Sequence, residues 1–186
     1  MSWLRDIYVL AVVLLVLVAV LVSLFHLGLR KLIQANIAKN GGYAVYDDWN
    51  DSYDICLPTN NFEQYISTVH YFSTCDRLDC TGTRFVDSDF RFIECLKKLH
   101  ILILDDTLIT DGGARFFLSF PQLNYLSVAN TTVSDQSISF LCQLNNLVVL
   151  NLRGTQVSRE GLATIKKFLP HCEINYDGAP PNGETR

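Results

Sequence analysis

A step of 24 residues governs more than half of this chain. Leu78, Leu102, Leu126, Leu150 and Ile174 follow one another at that spacing without insertion. Two residues after each stand Cys80, Leu104, Val128, Leu152 and Tyr176, and three before each stand Cys75, Leu99, Leu123, Leu147 and His171. The apolar pattern L-x-x-L-x-L therefore recurs in phase. A unit this short cannot bury its apolar face alone, so a sustained period of this length means stacked units sharing one core.

The rest of each unit repeats too. Thr83, Thr107, Thr131 and Thr155 mark a turn, and Phe85, Ile109, Val133 and Val157 come two places later. Thr110, Ser134 and Ser158 then occupy a helix N-cap position, where a hydroxyl accepts a backbone N–H. Asp111 and Asp135 follow in the first turn, where the helix dipole favours a carboxylate. An apolar helical face is read at Ala114, Phe117 and Phe120, at Ile138, Leu141 and Leu144, and at Leu162, Ile165 and Phe168.

The stretches LHILILDDTLITDGGARFFLSF, LNYLSVANTTVSDQSISFLCQL and LVVLNLRGTQVSREGLATIKKFL resemble the leucine-rich-repeat family over about residues 75–177. The flavour is similar to its bacterial and cysteine-containing subtypes, with threonine where many repeats place asparagine. The threonine is expected to satisfy backbone groups at each turn. The resemblance implies an α/β solenoid: a parallel strand ladder with helices behind it. The repeat also disposes of an alternative for Asp105-Asp106 and Gly112-Gly113. Their counterparts are Ala129-Asn130 and Gln136-Ser137, so they read as turn and helix start rather than as a metal or phosphate site.

Ahead of the repeats, residues 7–29 contain no Asp, Glu, Lys or Arg. As a helix that run reaches roughly 34 Å, enough to cross a hydrocarbon core of about 30 Å. A cleaved signal peptide has a shorter apolar core and an A-x-A-like site, whereas Ser23-Leu24-Phe25-His26-Leu27 offers none. Residues 1–31 are thus read as a single-pass anchor. Arg30, Lys31 and Lys39 follow the run, and the positive-inside rule favours a cytoplasmic C-terminal domain.

Residues 32–74 are read as a juxtamembrane segment and N-terminal cap. Within them the sequence predicts a helix, a Gly41-Gly42 stop, a short strand at Tyr43–Tyr46, a solvated acidic loop over 47–63 and a capping helix over 61–74. Residues 178–186, with Pro180-Pro181, are expected to be a disordered tail. Residues 1–31 carry a net charge of +2, so the −4 of the whole chain leaves −6 on residues 32–186. An acidic domain is not a nucleic-acid binder by default, and it lacks a polybasic belt for anionic lipid. The six cysteines form no C-x-x-C pair; their even count permits disulfides outside the cytosol, and the repeat supports reading several of them as small buried hydrophobes.

Function is expected on the exposed face of the ladder, because side chains alternate along a strand. That rule points outward Arg77 and Asp79, Ile101, Ile103 and Asp105, Tyr125 and Ser127, and Val149, Asn151 and Arg153. An apolar, aromatic centre with a charged rim is how a protein-binding patch is built, and Tyr125 is the natural anchor. No catalytic motif is present, and the repeat brings no nucleophile and base together; no metal or cofactor is implied. The sequence reads as a membrane-anchored, non-catalytic module that binds a protein partner. The alternative is a structural or assembly role without a dedicated ligand.

Overall fold

The structure, a computed structural model, describes residues 2–178, with side chains from Leu14 onward. The elements are α1 (Ser2–Lys39), β1 (Tyr43–Asp47), β2 (Ser52–Cys56), α2 (Phe62–Ile66), β3 (Cys75–Asp79), α3 (Phe90–Ile93), β4 (Ile101–Ile103), β5 (Tyr125–Ser127), α4 (Ile138–Leu141), β6 (Val149–Asn151), α5 (Arg159–Phe168) and β7 (Glu173–Asn175). The strands form one seven-stranded sheet in chain order. β1 and β2 are an antiparallel hairpin, and every later pair is parallel. The tail beyond residue 178 lies outside the described residues.

From β3 to β7 the register follows the 24-residue step without slip, so that Leu78, Leu102, Leu126, Leu150 and Ile174 stand side by side. The first four of these are fully buried, as are Cys80, Leu104, Val128 and Leu152 in the neighbouring row and Phe85, Ile109, Val133 and Val157 behind the turn. Phe90 fills the wide end of this core, with the rings of Phe85 and Phe117 edge-on and Phe116 stacked against it. All six cysteines are free, and Cys75 and Cys80 are wholly buried core residues.

The turns show why particular polar residues recur. Thr83, Thr107, Thr131 and Thr155 are buried, and each hydroxyl donates to the carbonyl three residues back at 2.6–2.7 Å. That is the backbone-satisfying role the sequence predicts. Gly82, Asp106, Asn130, Gly154 and Gly178 are also 24 apart, and all have φ between +55° and +90°. Every unit turns through the left-handed region, which only Gly, Asn and Asp enter readily. Asp106 is therefore explained by backbone conformation.

Behind the sheet, the return segments are mostly 3₁₀ turns or single α-turns; α5 alone is a ten-residue α-helix. In a 3₁₀ turn, positions three apart face the same way, so Phe117 and Phe120 are both buried. In α5 the repeat is nearer four, which turns Leu169 inward and leaves Phe168 59 % exposed. The expected inward placement of Phe168 is thus corrected by the change of helix type.

A carboxylate in each return segment clamps the next one. Asp87 accepts from Thr110 N (2.9 Å) and Oγ1 (2.6 Å), Asp111 from Ser134 N (2.8 Å) and Oγ (2.6 Å), and Asp135 from Ser158 N (2.8 Å) and Oγ (2.6 Å). The same hydroxyls accept from their own segments, at Gly112 N, Gln136 N and Gly161 N. All three are thus bonded on both sides, but only Ser134 and Ser158 are N-caps as the sequence predicts; Thr110 precedes a turn, and the 3₁₀ segment Ala114–Ser119 is capped at Gly113 instead. Ser137 Oγ also donates to Asp111. At the position equivalent to Ser137, Gly113 and Gly161 leave room for the carboxylate: a Cβ on Gly161 would overlap Asp135 and approach Ile138 Cδ1 to 2.6 Å.

The N-terminal edge differs from the sequence expectation. Residues 47–63 are not a solvated loop throughout. They contain β2, with Tyr53, Ile55 and Leu57 buried. Asp54 disguises it, because it points to the open face while Tyr53 and Ile55 point inward. The expected capping helix is α2 followed by a 3₁₀ turn at Val69–Tyr71. α1 does not end at the apolar boundary but continues to Lys39, where Ile33 and Ile37 are buried against the cap. Gly41, at φ +91°, ends it as the sequence predicts.

Two outcomes test the clamp. Burial raises the Asp111 carboxyl, but hydrogen bonds from Ser134 and Ser137 outweigh it and hold the group below its ordinary 3.8. Its stabilisation is therefore complete above that value and is lost as pH falls through the lower folded-state value. Asp111→Asn is expected to cost about 1–2 kcal/mol at neutral pH, discounted for partial exposure, and to flatten the loss of melting temperature below pH 4. In Gly161→Ala the usual helix gain of about 1 kcal/mol is reversed into a loss of about 1–3 kcal/mol. Thermal melts of the full chain in detergent measure both.

Candidate functional site

The parallel register builds the open face row by row. One row runs Val45, Asp54, Arg77, Ile101, Tyr125, Val149, Glu173. The next runs Tyr43, Cys56, Asp79, Ile103, Ser127, Asn151, Asn175. All ten sequence-predicted residues lie on this face or at its edge, where Asp105 and Arg153 follow their strands. The face is longer than the sequence indicates. Tyr43, Val45, Asp54 and Cys56 extend it; reading 47–63 as a loop hides Asp54 and Cys56, and with them the pairing that joins the predicted strand at Tyr43–Tyr46 to the sheet. The available signal was the alternation in Ser52–Cys56, where Tyr53 and Ile55 flank Asp54.

Exposure separates the residues into two groups. Ile101, Tyr125 and Val149 are partly exposed and adjacent across β4, β5 and β6. Ile103 is 9 % exposed and Ser127 is fully buried, so neither presents the accessible surface that alternation alone assigns to it. The reason for Ser127 is chemical. Its hydroxyl donates to Asp105 Oδ1 and accepts from Asn151 Nδ2 at 2.8 Å. Asp105 Oδ1 also accepts from Ala129 N at 2.8 Å, and Ala129 is buried as well. Asp105, Ser127 and Asn151 thus form a polar chain across three repeats and make a floor beside the apolar row.

Toward the N-terminal side the face becomes charged. Arg77 Nη2 pairs with Asp79 Oδ2 at 3.2 Å, and Asp79 Oδ1 accepts from Thr81 N and Oγ1. Arg77 Nε is buried without a hydrogen-bond partner. Next to it, burial and the neighbouring Asp76 push the Asp54 carboxyl up, although Arg77 opposes them. Arg153 stands exposed at the far edge. The site is an apolar strip, Ile101–Tyr125–Val149, with the Arg77–Asp79 pair on one side, Glu173 on the other, and Asn151 and Arg153 further along the chain from Val149.

The titratable groups are dispersed. His100 is half-buried and bonded to Asp76 at the strand starts, rather than standing free on the surface. His70 bonds the Ser67 carbonyl, and His26 lies against Tyr71. Among the described residues, no group of three or more His, Cys, Asp or Glu side chains is placed to hold a metal ion.

No protein family matches the chain, and no curated protein matches it. Solved structures that are similar include internalin C2 of Listeria monocytogenes (23 % identity, TM-score 0.46, 61 % of this chain and 49 % of that one). A leucine-rich-repeat protein of Leptospira interrogans is 23 % identical, with TM-score 0.42, over 57 % of this chain and 26 % of that one. A second Listeria internalin is 16 % identical, with TM-score 0.40, over 63 % and 38 %. The chain spans half or less of the length of each.

The two groups of residues respond differently to substitution. Ser127→Ala leaves Asp105 and Asn151 without their shared partner and should cost about 1–3 kcal/mol of stability. Tyr125→Ala removes partly exposed surface and should cost less. Equal losses in denaturant titrations would contradict the division.

Proposed function

We propose that this chain is a membrane-anchored, non-catalytic protein-interaction module that binds a protein partner through its concave strand face. The observation that carries the reading is the partly exposed strip Ile101–Tyr125–Val149 among charged and amide side chains. A desolvated apolar centre inside a polar rim is the arrangement of a binding patch, and tyrosine is over-represented among residues that dominate binding energy. Arg77, Asp79, Asp105, Asn151 and Arg153 surround the strip and would set orientation and selectivity. Ile103 and Ser127 act from below, by packing and by holding the floor.

The anchor rests on α1. It is the one described helix long and apolar enough to cross a membrane. Its side chains over Leu14–Phe25 are uncovered by the rest of the protein, with Leu15 70 % and Phe25 69 % exposed. Apolar surface of that extent facing outward fits lipid and not a soluble core helix. The charges after the run favour a cytoplasmic solenoid.

A photo-crosslinking amino acid at Tyr125 tests the binding face, with Leu108, 60 % exposed away from the strip, as control. The expected result is one discrete protein adduct from position 125, none from 108, and loss of the adduct when Ile101 and Val149 are both changed to Ala. No adduct, or equal adducts at both positions, would leave the structural or assembly role in its place.

A further inference from the structure

The contacts along α1 determine which end of the solenoid points toward its apolar half. Gly42 N donates to Ile37 O at 3.1 Å, and Gln34 Nε2 donates to Ala44 O at 2.9 Å. The Arg30 guanidinium lies 5.8 Å from the ring of Tyr53, which stands opposite Tyr46 in the hairpin. Arg30 Nε also donates to Tyr71 O at 2.7 Å, and the Tyr71 ring is 6.4 Å from that of His26. Residues 37, 34 and 30 of the helix thus meet, in order, Gly42 just ahead of β1, Ala44 within it and Tyr53 opposite Tyr46 near its end, while His26, one turn further back, lies against Tyr71 beyond the hairpin. The spacings agree, since four helical residues and two strand residues each cover about 6–7 Å. β1 therefore runs back toward the apolar segment. β2 reverses, and β3–β7 follow β2, so β2–β7 all start at the end nearest that segment.

The rim at the strand starts has its own chemistry. Trp49 stands at the hairpin tip, 97 % exposed. Lys97 and Lys98 precede β4, and Lys166 and Lys167 end α5; all are exposed, and they are the only lysines of residues 75–177. Phe168, 59 % exposed, follows them. The opposite rim, where strands end, holds no lysine but carries Asp79, Asp105, Asp106 and Asp177. In the hairpin, Asp47 accepts from Trp49 N and Asn50 Nδ2, and Asp51 accepts from the Tyr46 hydroxyl. Asp48 is exposed beside Trp49.

We propose that this rim lies on the membrane surface, with Trp49 in the headgroup layer and the four lysines against anionic phospholipid. The inference rests on α1 being a membrane anchor. His26–Arg30 is where the apolar run of residues 7–29 gives way to Arg30-Lys31. At that depth an indole is amphipathic in the right sense, and lysines gain from the negative surface potential. The lysines form no belt in the sequence; the 24-residue stacking gathers them on one rim. The solenoid then lies along the membrane plane, and its concave face opens sideways, toward a partner that is itself close to the bilayer.

The chain contains only two tryptophans, Trp3 and Trp49, which makes the test direct. Full-length Trp3→Phe and Trp49→Phe proteins are reconstituted into phosphatidylcholine–phosphatidylserine vesicles containing brominated phosphatidylcholine. In Trp3→Phe, emission from Trp49 should fall by about half, more for bromines near the headgroup than near the chain ends. Changing Lys97, Lys98, Lys166 and Lys167 together to Glu, in protein whose melt shows it folded, should weaken that quenching about twofold. If Trp49 escapes quenching while Trp3 in the Trp49→Phe protein is quenched, the anchor stands and the rim is not on the membrane. If neither is quenched, the anchor reading fails and takes this inference with it. Quenching of Trp49 that the lysine changes leave untouched overturns the electrostatic part.

Discussion

Everything in the solenoid depends on the parallel hydrogen-bond register between successive repeats. The strands themselves are only three residues long from β4 onward, but the ladder continues past them. Cys80 N bonds Ile103 O, Leu104 N bonds Ser127 O, Val128 N bonds Asn151 O, and Leu152 N bonds Asn175 O. Further on, Gly82 N, Asp106 N and Asn130 N reach Asp105 O, Ala129 O and Arg153 O. These bonds require each unit to repeat its path, left-handed turn included. A one-residue slip would exchange the buried leucines for Arg77, Ile101, Tyr125 and Val149 across the whole array, because side chains alternate. The aspartate clamp imposes the same period on the other side of the core. Sheet and return segments therefore agree on one register.

A stack of this kind has two ends, and each needs a cover. At the N-terminal end the last turns of α1, the β1–β2 hairpin and α2 supply it. Ile33, Ile37, Tyr53, Ile55 and Tyr65 bury one another, and Asn40 bonds the Tyr65 hydroxyl at 2.7 Å. The antiparallel hairpin also ends the parallel ladder on a strand flanked by α1. The C-terminal end has lighter cover, with Ile174 and Tyr176 only partly buried. Since α1 both carries the apolar run and packs as the cap, no flexible linker separates the two, and the attitude of the solenoid follows from the helix.

The period made the repeats legible in the sequence, and it failed where residues leave the period. The marker leucines and the threonine turns could be read because each is repeated four or five times, and the cap hydroxyls Ser134 and Ser158 because they recur at the same step. The return segments could be placed but not typed: 3₁₀ and α turns share apolar spacing until the last residue, which is why Phe168 and Leu169 were exchanged. β2 was invisible because it belongs to the cap, outside the period, and Asp54 within it together with Asp47, Asp48 and Asp51 before it resembles a loop. The concave residues could be assigned to a face by alternation alone. Their exposure could not, since the burial of Ser127 comes from partners in the two neighbouring repeats, Asp105 and Asn151.

That buried floor bears on how the apolar strip can work. Tyr125 belongs to the central strand of the partly exposed strip, with Ile101 and Val149 paired to it on either side. Its backbone neighbour Ser127 is fixed by two side-chain hydrogen bonds, and Tyr125 N itself donates to His100 O at 3.0 Å. Tyr125 is therefore displayed from a strand held at both ends, in the interior of the array, away from the less covered C-terminal edge. A partner that docks there orders little that is not already ordered. The conformational cost of association falls mainly on the partner, and the same apolar area yields more affinity than it would on a mobile loop. Because α1 packs into the cap of the same sheet, the position of a partner docked on the strip would be set relative to α1 by the fold, not by diffusion of a tethered domain.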